Sequence, residues 1–86
     1  MREAYLEKRS MRLLIGPNGA PVRTSVALEP EFWEQLEACA KRAGQSMPAW
    51  IADVDKLRRD THPNQSLASA CRVQVLAETM AAGRAR

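Results

Sequence analysis

The sequence predicts an α+β domain, mostly helical, with an N-terminal β-hairpin followed by three helices. Three observations carry this. Asn18-Gly19 stands between two segments with apolar alternation, the strongest short-range hairpin signal. Glu29-Pro30-Glu31 opens a stretch whose apolar residues recur at helical spacing up to Gly44. Ser46 and Ser66 each stand where an N-cap belongs, ahead of further apolar periodicity.

Residues 1–7 show no pattern and are expected to form a mobile arm. Residues 8–28 form the hairpin, with Gly16-Pro17-Asn18-Gly19-Ala20-Pro21 as its turn region and 22–28 as its second strand. A two-residue Asn18-Gly19 loop sets Ile15 opposite Val22, Leu13 opposite Thr24 and Met11 opposite Val26, on one core-like face. The other face pairs Leu14 with Arg23, Arg12 with Ser25 and Ser10 with Ala27, and is polar and basic.

The first helix spans 30–43. Pro30 suits the first turn, where a missing N–H costs nothing, and Glu29, Glu31 and Glu34 suit the positive end of the helix dipole. Phe32, Leu36, Cys39, Ala40 and Ala43 form an amphipathic stripe with Trp33 beside it. Lys41 and Arg42 fill the last turn, and Gly44 takes the left-handed cap position. The second helix spans 47–59, capped by Ser46, with Pro48 in its first turn. Trp50, Ile51, Val54 and Leu57 face inward, while Asp53, Asp55, Lys56, Arg58 and Arg59 face water. After a polar break at 60–65, Ser66 caps a third helix over 67–82. Its apolar set of Leu67, Ala70, Cys71, Val75, Leu76 and Met80, with Val73, is broad enough for burial on more than one side. Gly83 ends this helix, and 83–86 form a tail.

With 86 residues, the chain has room for one domain, 1–86, and a marginal core. Domains this small use disulfides, a metal or a partner subunit as a staple. Cys39 and Cys71 fall inside apolar helical patterns without a secretory leader ahead of them, so two reduced, buried thiols in a cytoplasmic protein are expected. His62 stands alone in a loop, and no spacing suits a metal, so no metal or cofactor is expected. No run of 18 apolar residues exists to cross a membrane. Oligomerisation remains, and an obligate homodimer is expected. The net charge is +3, concentrated at both ends: residues 1–28 carry +3 and 63–86 carry +2, while 29–62 carry −2. This asymmetry suits a polyanion partner.

The run Arg23-Thr24-Ser25-Val26-Ala27-Leu28-Glu29-Pro30-Glu31-Phe32-Trp33, followed by Leu36, Ala43-Gly44-Gln45-Ser46 and Trp50-Ile51, resembles the ribbon-helix-helix DNA-binding family. The resemblance covers residues 23–59. With Ser66-Leu67-Ala68-Ser69-Ala70 onward it extends to about residue 80, and is closest to a bacterial subgroup with an added third helix. It implies a ribbon-helix-helix dimer in which one strand per subunit pairs antiparallel and enters the major groove of double-stranded DNA. Thr24, Val26 and Leu28 would then point inward. Arg23, Ser25 and Ala27 would face base edges, with Arg23 suited to guanine O6 and N7 and Ala27 limited to methyl contact. The N-terminus of the second helix, at Gln45, Ser46 and Met47, would clamp a phosphate, with Pro48 removing one donor. Arg12, opposite Ser25 and further from the dyad, is expected on phosphate. Arg58 and Arg59 are expected to be a solvated helix end, and Arg84 and Arg86 a tail that touches phosphate non-specifically. Val26, Leu28, Leu36, Trp50, Ile51 and Val54 are the expected dimer core.

The chain departs from this family in the roughly twenty residues ahead of the ribbon strand. A four-stranded sheet made from two hairpins spans about 14 Å across its backbones, too wide for a major groove of about 12 Å. Either residues 8–15 bend away onto flanking phosphates, or the ribbon is not inserted as in relatives. The leading expectation is a homodimeric transcriptional repressor, with higher oligomers on DNA left open. The alternative is a protein–protein interaction module, including the antitoxin of a toxin–antitoxin pair, in which the widened sheet and third helix bind a protein. An enzyme is not expected, because one His and two buried thiols do not make a paired acid–base or nucleophilic set.

Overall fold

The computed structural model describes residues 5–14 and 21–84. In order, the elements are β1 (Glu7–Leu14), β2 (Pro21–Leu28), α1 (Pro30–Arg42), α2 (Met47–Thr61) and α3 (Leu67–Arg84). The strands form a two-stranded antiparallel sheet. α3 packs on both α1 and α2, and α2 packs on β1.

The strand register differs from the expected one by two residues. Leu13 stands opposite Val22, Arg12 opposite Arg23, Met11 opposite Thr24, Ser10 opposite Ser25 and Glu7 opposite Leu28. A two-residue slip leaves every side chain on the same face, so apolar alternation alone cannot detect it. The start of β1 is where this pairing is fastened. The Glu7 carbonyl accepts a hydrogen bond from Trp33 Nε1 at 2.7 Å, and the Arg9 guanidinium lies 4.7 Å from the Trp33 ring centroid. Arg9 also pairs with the Glu7 carboxylate at 2.6 Å. Glu7 therefore belongs to the strand and not to a free arm. The Asn18-Gly19 turn and Ile15 lie outside the described residues. Val22, placed on the core-like face by the sequence, is 41% exposed and lies at the loop end of the hairpin.

Glu29 precedes α1 with extended backbone and makes no side-chain cap, but its carbonyl accepts from the Phe32 and Trp33 N–H groups. The helix ends in a Schellman arrangement: the Gln45 N–H reaches the Ala40 carbonyl at 2.9 Å, and the Gly44 N–H reaches that of Lys41 at 3.1 Å. Gly44 has φ +68°, the left-handed conformation that makes glycine favourable there. The buried stripe is centred on Trp33, Leu36, Cys39 and Ala40, with Phe32 only half-buried and Ala43 exposed. The stripe is rotated from the expected one because β1 covers Trp33.

In α2 the Ser46 hydroxyl accepts from the Ala49 N–H at 3.2 Å, and Trp50, Ile51, Val54 and Asp55 are buried. Two expectations fail here. Leu57 is 53% exposed, and Asp55 is 4% exposed where a solvated residue was expected. Asp55 is held by Arg58 at 2.7 Å and Arg59 at 3.1 Å. Arg58 also donates to the carbonyls of Pro63 and Gln65, so the Asp55–Arg58 pair ties the α2–α3 connection to α2 rather than forming a solvated end.

Ser66 caps α3 by accepting from the Ser69 N–H at 3.1 Å. The helix continues through Gly83 to Arg84. A glycine in a helix costs about 1 kcal/mol but does not terminate it without the left-handed turn that Gly44 adopts. Ala70, Cys71 and Val75 are buried, whereas Val73, Leu76 and Met80 are 58%, 57% and 48% exposed. The broad apolar face is thus covered on one side only within the chain. Arg72 on α3 bridges to Glu29 ahead of α1 at 3.0 Å. That hydrogen bond holds the Glu29 carboxyl below its ordinary range.

Val26, Leu28, Leu36, Trp50, Ile51 and Val54 are all buried inside one chain, at 7% exposure or less. Leu13 of β1 and Ala70, Cys71 and Val75 of α3 belong to the same buried cluster and supply cover within the chain. Both cysteines are free and buried. Burial pushes the Cys71 thiol up to about 12 and raises that of Cys39.

Candidate nucleic-acid interface

The alternation of β1 and β2 divides the hairpin into two chemically different faces. Met11, Leu13, Val26 and Leu28 point to the helices, joined by half-buried Thr24 and the Arg9–Glu7 pair. The opposite face carries Lys8 across from Ala27, Ser10 across from Ser25, and Arg12 across from Arg23. All six are exposed except Ala27, which is half-buried. This face holds three cations and no carboxylate. The nearest acidic residue in the strands, Glu7, lies on the inward face and is bound to Arg9. Lys8, Arg12 and Arg23 have no ion-pair partner among the described residues.

Arg12 and Arg23 are directly opposed like charges, an arrangement that destabilises a strand pair unless an anion lies between or above them. One step along the ribbon, the Ser10 and Ser25 hydroxyl oxygens are 2.8 Å apart. One hydroxyl donates to the other, leaving one O–H and several lone pairs of the pair free to face outward.

The N-terminus of α2 adjoins this face. Arg12 lines a shallow pocket of about 290 Å³ together with Ser46, Pro48, Ala49, Ala52 and Asp53. Among the residues expected on phosphate here, Ser46 is exposed and its hydroxyl is committed to the Ala49 N–H. The Gln45 side chain is committed to Asp53 Oδ2 at 2.8 Å. Pro48 has no N–H, so the Met47 N–H is the first-turn donor without a partner among the described residues. The Met47 side chain packs against the core. Asp53 beside this turn offsets part of its positive potential.

The register changes the place of Arg12. Opposite Ser25 it would flank the polar face, but opposite Arg23 it stands level with the expected reading residue. Strand alternation does not separate the two registers, because both keep Arg12, Arg23, Ser10 and Ser25 on the same face. His62 is exposed, with Nδ1 3.0 Å from the Thr61 hydroxyl. Trp33 and Trp50 are core residues, and neither offers a ring face to a base. No group of three His, Cys, Asp or Glu side chains among the described residues is placed to hold a metal ion. No helix among the described residues is long and apolar enough to cross a membrane.

The strand–helix–helix unit with its basic ribbon defines a class of protein. The ribbon-helix-helix domain family model matches residues 6–79, and the chain belongs to this family. The match begins one residue ahead of β1 and ends within α3, so it covers the whole first strand and most of the third helix. Ribbon-helix-helix domains generally bind DNA and dimerise, and the fold is a regulatory one, not typically enzymatic. No curated protein and no solved structure matches the chain.

Proposed function

We infer that this protein is a sequence-specific DNA-binding regulator of bacterial type, acting in the cytoplasm as a homodimeric transcriptional repressor. The observation that carries the reading is the outward hairpin face, where Lys8, Arg12 and Arg23 lie exposed with no carboxylate among them. Cations on a two-stranded ribbon suit the major groove, which accepts such a ribbon and lines it with phosphates. In this reading Arg23 and Ser25 contact base edges, Ala27 offers only methyl contact, and the α2 start at Gln45, Ser46 and Met47 approaches a phosphate through the Met47 N–H. No cofactor takes part.

The dimer contact in this reading is the uncovered apolar face of α2 and α3. Leu57, Val73, Leu76 and Met80 are all about half exposed, and Leu57 and Val73 line a cleft of about 370 Å³. Val73, Leu76 and Met80 recur at 3 and 4 residues, the spacing of a helix–helix seam. A second copy burying this face would place two hairpins on one duplex, each at its own half-site. The same face supports a second reading, a docking surface for a different protein such as a toxin.

Two measurements test the function together. Genomic fragments captured by the purified chain are sequenced, and the chain is sedimented at micromolar concentration. Enrichment of a short repeated site by a dimer is expected. A monodisperse monomer with no enriched site would overturn the reading and favour the protein-docking one.

A further inference from the structure

We propose that β1 is a phosphate-tracking strand: it lies outside the reading strand β2, on the wall of the major groove, where Lys8 and Arg12 each hold a phosphate of the DNA backbone. The inference rests on the DNA-binding reading above and adds to it a row of contacts that carries no sequence information.

The first argument is position. β1 pairs with one edge of β2 from Glu7↔Leu28 to Leu14↔Pro21. The other edge of β2 carries no strand among the described residues. That edge is open to the β2 of a second subunit, so a ribbon of one strand per subunit keeps each β1 on its outer flank. The Ser10–Ser25 hydrogen bond at 2.8 Å holds the two outward rows level, and β1 does not swing away from the sheet. Strands about 4.8 Å apart put each β1 about 7 Å from the centre of such a ribbon. Half the width of a major groove is about 6 Å. β2 thus lies over the groove floor, and β1 lies over its phosphate-lined wall. Only the inner pair of strands has to enter, so the total width of about 14 Å across four strands does not bar the ribbon from the groove.

The second argument is chemistry. Lys8 and Arg12 point outward from β1, both are exposed, and neither has an ion-pair partner among the described residues. The one carboxylate of the strand, Glu7, lies on the inward face and is bound to Arg9. Asp53 of α2, which shares a pocket with Arg12, is bound by the Gln45 side chain at 2.8 Å. A phosphate wall takes positive charge, and an exposed lysine and arginine supply it. Ordinary strand distances put Lys8 and Arg12 about 14 Å apart, so they reach different phosphates. Arg12 opposes Arg23 directly, and their repulsion is relieved when each takes its own acceptor, Arg23 a base edge and Arg12 the wall.

The third argument is the neighbour of Arg12. The pocket of about 290 Å³ that Arg12 lines is closed on the other side by Ser46, Pro48 and Ala49 of α2. The reading above brings a phosphate to the Met47 N–H, between Ser46 and Pro48. Arg12 and the start of α2 therefore face the same wall.

The test uses the full chain and a duplex that it selects from a randomised library. Lys8→Ala, Arg12→Ala, Arg12→Lys and Arg23→Lys are compared by fluorescence anisotropy on matched and singly mismatched duplexes across a salt series. All three positions are exposed, and melting curves confirm that the variants fold. Lys8→Ala and Arg12→Ala should each weaken matched and mismatched duplexes by the same factor and lower the salt slope by about two units per dimer. Arg12→Lys should keep both affinity and slope, because a phosphate accepts a point charge. Arg23→Lys should instead lose about 5- to 150-fold of preference at one base pair, with the slope unchanged. Duplexes carrying one neutral methylphosphonate at a time locate the contacts. The unaltered chain should lose affinity at separate positions for Lys8 and Arg12, and each alanine variant should become insensitive at its own position. A base preference lost in Lys8→Ala or Arg12→Ala at unchanged slope puts β1 inside the groove and overturns the inference. Binding by both alanine variants equal to that of the unaltered chain, while Arg23→Lys loses preference, also overturns it and leaves the DNA-binding reading intact. If the unaltered chain selects no duplex, both are overturned.

Discussion

Replacing Leu36 by Ala tests whether the core belongs to one chain. Leu36 is fully buried in a cluster that includes Val26, Leu28, Trp33, Trp50 and Ile51, so it lies where the hairpin and helices converge. The substitution removes three buried carbons, about 2.4 kcal/mol of transfer free energy at about 0.8 kcal/mol per carbon. The cavity left behind brings the total to about 3–5 kcal/mol, because a site walled by two tryptophans and two strands collapses poorly. A domain of this length has a total stability of roughly 4–13 kcal/mol. At about 4–8 °C per kcal/mol, the Tm should fall by more than about 12 °C. Leu76, 57% exposed on α3, is the control. Leu76→Ala should cost the isolated chain less than about 1 kcal/mol, while shifting the sedimentation profile towards monomer. The assay is urea unfolding followed by tryptophan fluorescence at several protein concentrations. A loss below about 1 kcal/mol for Leu36→Ala, or a larger loss for Leu76→Ala than for Leu36→Ala at high dilution, would refute this core assignment.

Asp55→Ala should cost about 2–3 kcal/mol in the same assay, less than a fully orphaned buried charge because Arg58 keeps the Pro63 and Gln65 carbonyls; a loss within 0.5 kcal/mol would show that the ion pair does not fasten the α2–α3 connection. Trp33→Phe removes the Nε1 bond to the Glu7 carbonyl and should cost about 1 kcal/mol, with faster amide exchange in β1; unchanged exchange there would mean the strand is held by the hairpin alone. Stability should decline as pH rises above 9, since an unfolded thiol ionises from its ordinary value of 9.0 while the folded Cys71 thiol stays protonated up to about 12. The unfolded state then binds fewer protons, and Cys71→Ala should flatten the decline; an equal slope in both proteins would place its cause elsewhere.

Local chemistry made much of this fold readable. Gly44, Ser46 and Ser66 have single physical roles at helix ends, and each performs that role through neighbouring backbone atoms. The parity of the strands was readable for the same reason: alternation fixes which face a residue takes. The register was not, because a slip by two residues preserves parity and its determinants are distant, namely the Trp33 Nε1 bond to Glu7 and the Arg9 stack on the ring. Asp55 reads as a solvated helix residue until its two arginines, three and four positions later, are seen to fold over it. Leu57, Leu76 and Met80 read as core because sequence periodicity reports an apolar face, not which molecule covers it. At the candidate site, Arg23 and Ser25 were legible from β2 alone, whereas the level placement of Ser10 and Arg12 needed the true pairing.

Duplex DNA is expected on the outward face of the hairpin. Amide NMR shifts of the ¹⁵N-labelled chain, titrated with its selected duplex, test it most directly. Shifts and line broadening concentrated at Lys8, Ser10, Arg12, Arg23, Ser25 and the Met47 amide, with little change at Val73, Leu76 and Met80, are the predicted result. Perturbations confined to α3, with the hairpin amides unmoved, would contradict the account.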